Sequence, residues 1–260
     1  MTERRAIFIT GAGSGMGEAT ARRFAAEGWF VGAYDVDPVG LAALETELGA
    51  AAGLFERLDV TDHAGFAAAV ARFAAATGGR MDILHNNAGI IAHGAFDEMA
   101  WDTIERIVRV NLLGVMTGIR AALPILKATE NALCFTTCSA SALFGSGGLA
   151  AYSASKHGLR GLTEALSIEF ARFGVRVADV VPGIIETAMV APESKAMFPT
   201  TGPWRLLPPA AVADAVWAAY HDPGEQLHHY VPSELGEYRR FANDTPEAAR
   251  DEARARFLAG

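Results

Sequence analysis

Along the chain a short run of apolar or β-branched residues is repeatedly followed by a turn and then by a longer, amphipathic, alanine-rich stretch. Residues 6–10, 29–34, 54–58, 81–85, 132–138, 175–181 and 227–231 have the pattern of strands, and residues 17–27, 39–48, 63–76, 101–127, 152–173 and 210–221 that of helices. Strands alternating with helices predict a parallel sheet covered on both faces. No linker rich in Pro, Gly or Ser divides the chain, and the alternation runs through its middle, so residues 1–260 are expected to form one domain. The alanine runs at 50–52, 67–69 and 74–76 read as parts of helices, where Ala is the strongest former. Two stretches break the rhythm. Residues 188–208, with Met189, Trp204, Leu206 and Leu207, predict a long apolar loop or lid. Residues 245–260, with Arg250, Asp251, Glu252, Arg254 and Arg256, predict a solvated helical tail.

Composition narrows the class. Of 260 residues, 51% are hydrophobic and 20% charged, which excludes disorder for most of the chain and fits a domain able to bury a large core. Lys and Arg number 22 against 30 Asp and Glu, a formal charge of −8, the wrong sign for gripping a nucleic acid. Cys134 and Cys138 stand four apart with no His or further Cys to complete a metal set, so they predict reduced core thiols and no metal site. The apolar run that begins at Ala6 is too short for a signal segment, and no stretch reaches the roughly 18 apolar residues of a membrane span. A cytoplasmic protein with neither membrane nor nucleic-acid partner is expected.

Candidate chemistry begins after the first strand. Thr10-Gly11-Ala12-Gly13-Ser14-Gly15-Met16-Gly17 opens directly into a helix, where glycines permit close backbone approach and the helix start offers free N–H groups to a pyrophosphate. The spacing Gly-x-x-x-Gly-x-Gly lacks the Gly-Lys-Ser/Thr of a nucleoside-triphosphate loop. Asp35 closes the second strand, about 20 residues on, where a carboxylate accepts both adenosine ribose hydroxyls and repels a 2′-phosphate. With Ser14 and Val36 in place of a compensating cation, NAD is expected rather than NADP. The competing role for Asp35 is to cap the turn at Asp37 and Pro38.

Further motifs follow in order: Asp59-Val60, Asn86-Asn87-Ala88-Gly89, Asn111, Ser139, Tyr152-Ser153-Ala154-Ser155-Lys156, and Pro182-Gly183 with Thr187. From about residue 5 to about residue 232 this ordered set resembles the short-chain dehydrogenase/reductase family. The resemblance implies a single Rossmann-type, doubly wound α/β fold with a seven-stranded parallel sheet and helices on both faces. Tyr152 and Lys156, four apart, share one helix face. A neighbouring ammonium stabilises a phenolate, which makes Tyr152 the candidate general base in alcohol oxidation and acid in reduction. The resemblance gives Ser139 a hydrogen bond to the substrate oxygen, with Ser141 as its rival. It gives Asn111 a helix kink and a water link to Lys156; a satisfied core asparagine is the alternative.

For the cofactor the resemblance implies contacts from Gly11, Ser14, Gly15, Met16, Gly17, Asp35, Asp59, Val60, Asn87, Ala88 and Gly89. Tyr152, Lys156, Pro182, Gly183, Ile185 and Thr187 complete that set, with Gly183 leaving room for the nicotinamide ring. The substrate pocket is expected from residues that follow the strand ends, including His93, Ser141, Phe144, Met189 and Trp204, His93 being also readable as a solvated loop residue. No arginine is placed for a carboxylate or phosphate, Arg205 being the one candidate, so a hydrophobic secondary alcohol or ketone is expected. Family members pair through the helices matching 101–127 and 152–173, which implies a homodimer or homotetramer. The ending after residue 232 departs from the short glycine-rich one of the tetrameric fatty-acid reductases, and counts against an acyl-thioester substrate. An NADPH-dependent ketoreductase and a non-catalytic NAD-sensing protein are the alternatives. Asp35 argues against the first and the intact Tyr152–Lys156 pair against the second.

Overall fold

The computed structural model describes residues 4–222 and 226–259; residues 1–3, 223–225 and 260 of the expected domain lie outside the described residues. Strand β1 (Ala6–Thr10) is followed by α1 (Gly15–Ala26), β2 (Phe30–Asp35), α2 (Pro38–Leu48), β3 (Gly53–Arg57), α3 (His63–Thr77) and β4 (Ile83–Asn86). The second half holds α4 (Trp101–Val108), α5 (Gly114–Ala128), β5 (Leu133–Thr137), α6 (Ala150–Ala171), β6 (Arg176–Pro182) and the short β7 (Ile184–Ile185) and β8 (Leu206–Leu207). It ends with α7 (Ala210–His221), β9 (His228–Val231), α8 (Leu235–Asp244) and α9 (Pro246–Ala259).

Seven strands form one parallel sheet in the order β3-β2-β1-β4-β5-β6-β9, the doubly wound Rossmann-type arrangement. Both faces are covered, which is why the strands read as apolar runs without alternation. Ile7 and Ile9 of β1 pack in one cluster with Phe24, Val31, Leu44 and Val216. Phe8 between them packs in the other with Tyr34, Phe66, Phe73 and Leu126. Local chemistry sets the helix ends. Asp37 caps α2 through Val39 N, with Pro38 in the first turn, and Asp62 caps α3 through Ala64 N and Gly65 N. Gly78 ends α3 in the left-handed conformation.

The seven strands and six helices expected from the pattern are all present, with ends within two residues of the expected ones. The differences lie elsewhere. Ala50–Ala52 form a 3₁₀ turn that feeds β3 and do not extend a helix. The helix over 101–128 is interrupted by a π-helical turn, Arg109–Leu113. Contrary to the expectation, Trp101–Ala128 is long and apolar enough by composition to cross a membrane. Counting uninterrupted apolar runs missed it because residues such as Arg120 divide the stretch. Val115, Ile119, Ala122 and Leu126 along it are buried in the core with Phe66 and Phe73. The 188–208 stretch contains a 3₁₀ turn, Pro192–Met197, and β8, which pairs in parallel with β7. Helix α8 was not anticipated, and α9 is more than a solvated tail because its Ala249 is fully buried.

Candidate active site

The sheet order reverses direction between β1 and β4, and the crevice at the carboxyl ends of those strands is where such folds bind ligands. After β1 the chain turns back against the end of β4. Gly11 has φ +69, and a Cβ on it would lie 2.8 Å from Ala88 Cα. A Cβ on Gly17 would lie 2.0 Å from the Gly11 carbonyl oxygen. Only glycine allows either approach. Ser14 at the start of α1 makes no side-chain cap bond, unlike Asp37 and Asp62, and Ser14, Gly15 and Met16 line a cleft of about 590 Å³. The cleft runs from Asp35 and Val36 past Asp59, Val60, Asn87, Ala88 and Gly89 to Thr187. Asp35 accepts from Gly13 N at 2.8 Å through Oδ2 and from Asp37 N at 3.0 Å through Oδ1. The turn-capping role and the place at the cleft therefore coexist. Two bonds from Thr61, backbone first and then hydroxyl, hold the Asp59 carboxyl below its ordinary range.

The other end of the site is organised around Thr137, the last residue of β5. Its carbonyl accepts from Lys156 Nζ at 2.9 Å, and the lysine is buried. Lys156 Nζ lies 5.6 Å from the centroid of the half-buried Tyr152 ring. Ser155 Oγ donates to the Tyr152 carbonyl at 2.7 Å and accepts from Asn111 Nδ2 at 3.2 Å. Asn111, in the π-helical turn, also donates to Ile90 O and accepts from Ile90 N. The π-helical turn thus falls at Asn111, whose side chain ties the loop after β4 to α6 by bonds to protein groups. A Cβ on Gly89 would lie 3.4 Å from Asn111 Oδ1 and 3.8 Å from Lys156 Nζ, so the two border one small space. Ser139 stands at the strand end, and its Oγ accepts from Ser141 N at 3.1 Å, which orients the hydroxyl and leaves its proton to donate. Ser141 serves that bond from the next turn.

Several expected residues have partners within the protein itself. A Cβ on Gly183, next to Pro182 at the end of β6, would meet the Pro203 carbonyl at 3.2 Å and Leu235 at 3.4 Å. The glycine gives room to the Pro203 carbonyl and to Leu235 at the start of α8. Ile185 buries its side chain in the core with Val212 and Val216. Thr187 reaches the glycine loop, its Cγ2 being 3.0 Å from a Cβ placed on Gly15. Met189, expected in the substrate pocket, lines the same cleft as Thr187 because the loop doubles back over the start of α1. Trp204 sets its ring edge-on to Tyr238 of α8 at 4.9 Å, and Phe144 packs half-buried on the same core cluster. His93 is exposed, as the solvated-loop reading has it. Arg205 pairs with Glu234 at 2.6 Å, which answers its charge. Cys134 and Cys138 are buried reduced thiols, each pushed up to about 12 by burial. Among the described residues no His, Cys, Asp or Glu group is arranged to hold a metal ion.

Sequence reasoning named Thr10 and Asn87 but passed over Thr137 and His85, which join these parts. Thr10 Oγ1 accepts from Asn87 N and Ala88 N, and Asn87 Nδ2 donates to the carbonyls of Thr10 and Gly11. Thr137 Oγ1 donates to Asn87 Oδ1 at 3.0 Å and is bonded to His85 Nε2 at 3.0 Å. The available signal was a polar residue at the ends of three neighbouring strands.

Comparison with known proteins matches residues 5–197 to the family described as short chain dehydrogenase. The 2,5-dichloro-2,5-cyclohexadiene-1,4-diol dehydrogenase of Sphingobium indicum is 38% identical over 189 residues, 72% of this chain and 75% of that protein. The cyclohexanol dehydrogenase of an Acinetobacter species is 32% identical over 216 residues, 82% of this chain and 86% of that protein. The crystal structure of a short chain dehydrogenase/reductase from Burkholderia phymatum in complex with NAD superposes with a TM-score of 0.82 at 28% identity. It covers 95% of this chain and 96% of that one.

Proposed function

This chain belongs to the short-chain dehydrogenase family, and from that premise we propose that it is an NAD-dependent oxidoreductase acting on a hydrophobic secondary alcohol or the matching ketone. That it is an oxidoreductase with a nicotinamide-binding fold follows from the family. The narrower reading rests on one observation above the others: Lys156, with Tyr152 beside it, is tied to the Thr137 carbonyl two residues before Ser139, and borders through Gly89 a cleft whose far end carries Asp35.

The bound nicotinamide supplies the hydride acceptor in oxidation and the donor in reduction. The chain's own groups handle the proton and the orientation. Ser139, with its oxygen already accepting from Ser141 N, donates its proton to the substrate oxygen. Tyr152 takes the hydroxyl proton of the alcohol, or returns it to the ketone. Lys156, fixed by the Thr137 carbonyl, holds its Nζ 5.6 Å from the centre of the Tyr152 ring and orients that side of the site. Asn111 acts by position, holding Ile90 and Ser155 where the lysine needs them. Asp35 accepts the ribose hydroxyls and disfavours a 2′-phosphate. Pairing of Arg205 with Glu234 supports an uncharged substrate, and the two relatives named above support a ring-bearing one. Burial of two reduced cysteines supports a cytoplasmic setting, and family habit a homodimer or homotetramer.

Fluorescence titration with NADH and NADPH, followed by absorbance assays of NAD reduction with cyclohexanol, tests the reading. Preferential NADH binding with turnover is expected. Equal or stronger NADPH binding overturns the role of Asp35, and binding without turnover on any secondary alcohol overturns the catalytic assignment.

A further inference from the structure

His85 is fully buried on β4 between its register partners Ile9 of β1 and Phe135 of β5, whose ring meets it edge-on at 5.7 Å. The reaction as derived does not use it, and a buried imidazole in an apolar strand is costly unless it is hydrogen-bonded. The donor directions around it follow one from the next. Asn87 Nδ2 donates to the carbonyls of Thr10 and Gly11, which only accept, so the orientation of the amide is fixed and Oδ1 faces Thr137. An amide oxygen only accepts, so the single hydroxyl proton of Thr137 goes to Asn87. The Thr137 oxygen must then accept from His85, whose proton sits on Nε2. Nδ1 is left without a partner. Burial pushes the imidazole down to about 3, which keeps it neutral near physiological pH. The same Thr137 presents its carbonyl to Lys156.

We propose that His85 is a positioning residue: as a permanent Nε2–H donor to Thr137 it sets the direction of a hydrogen-bond chain that holds the anchor of Lys156 and the glycine loop in one register. The proposal rests on the reading of the cleft as a nicotinamide site. A leucine in its place would fill the strand without leaving a nitrogen unpaired, so what histidine adds is the donor. Without it the Thr137 hydroxyl is no longer committed to Asn87, and both the loop and the lysine lose a constraint.

The test compares the full-length protein with His85→Gln, which keeps an N–H donor, and His85→Leu, which does not. The readouts are the NADH dissociation constant and kcat and KM for cyclohexanol at saturating NAD. His85→Leu is expected to weaken NADH binding and lower kcat, each about tenfold, with the alcohol KM unchanged, and His85→Gln to restore both. A leucine variant at wild-type level, or a glutamine variant as poor as leucine, overturns the proposal. If the leucine variant fails to fold, the histidine ¹⁵N–¹H long-range spectrum of the wild type decides. One imidazole, missing from the His85→Gln spectrum, must stay an Nε2–H tautomer from about pH 5 to 9; an Nδ1–H form or a titrating ring overturns the proposal. Wild-type protein that binds neither NADH nor NADPH overturns the cofactor reading instead, and the spectrum still decides the His85 chain.

Discussion

On the side of the glycine loop, Thr10, Asn87, Thr137 and His85 pass hydrogen bonds from strand to strand without a single ion pair. On the side of residues 188–208 the chain is held by Lys195 to Glu186 and Arg205 to Glu234, and by the edge of Trp204 on Tyr238. The first set is buried or half-buried, and its bonds hang on strand ends that the sheet has already placed. The second consists of partly exposed charges and one aromatic contact, and such ion pairs contribute about 1 kcal/mol or less. Proton transfer needs groups held in place to a fraction of an ångström, and the groups proposed for it, on α6 and in the turn after β5, are tied to the sheet through the Thr137 carbonyl. The segment 188–208, tied at its two ends, can change without disturbing those bonds.

Each prediction strikes one side of that contrast. Tyr152→Phe should lower kcat about a thousandfold while NADH affinity stays at wild-type level, because the ring remains and only the proton carrier is lost. Steady-state oxidation with a parallel titration checks it, and a loss under about tenfold would move proton transfer to another group. Gly17→Ala forces a methyl to within 2.0 Å of the Gly11 carbonyl and should weaken NADH about a hundredfold, the equivalent of ~3 kcal/mol of overpacking. Wild-type affinity in that variant would mean that the loop yields freely and is not the rigid wall.

The rigid side also has a pH signature. His85 in the folded chain titrates at about 3 against an ordinary 6.5, so between those values the unfolded chain binds a proton that the folded chain does not. Stability from this group is complete above about pH 6.5 and drains as pH falls, by about 2 kcal/mol between pH 7 and 5. Urea unfolding of the wild type and His85→Gln at both pH values should show the wild type losing that much more. Parallel losses would remove the histidine from the account. A smaller change is expected where the cleft opens to solvent: Asp35→Ala with Val36→Arg should shift the NADPH-to-NADH affinity ratio about tenfold toward NADPH. An unchanged ratio, measured by paired titrations, would show that Asp35 acts on the turn alone. Glu234→Gln, on the loosely tied side, should cost under about 1 kcal/mol of stability and move the KM for the alcohol while leaving NADH binding alone. A loss of NADH binding there would erase the distinction between the two sides.

The sheet and its covering helices were legible because every strand buried on both faces must be apolar throughout, and every helix between them must carry one apolar stripe. The glycine loop, Asp35 and the Tyr152–Lys156 pair were legible because each is a local pattern. Helix α8 escaped notice although Leu235, Tyr238 and Ala242 carry helical spacing, since the polar residues of the whole helix outnumber the buried ones. The neighbours of Met189 and Gly183 were not legible for a shared reason: the course of residues 183–208 depends on what they pack against, the glycine loop in one case and α8 in the other. His85 and Thr137 were invisible as a pair. They stand 52 positions apart, and only the adjacency of β4 and β5 turns two isolated polar residues into one bond.

The π-helical turn at Arg109–Leu113 has a consequence for how this helix tolerates insertions and deletions. Such a turn is an α-helix that has taken in one additional residue. Deleting a residue there would restore regular hydrogen bonding and look harmless by any count of backbone bonds. It would also rotate the preceding helix by about 100° against the following one. Asn111 would then swing away from Ile90 and Ser155, or the Val115–Leu126 row would leave the core. The length of this helix is therefore set in whole residues by two obligations at its two ends, and a straighter helix would be the poorer protein.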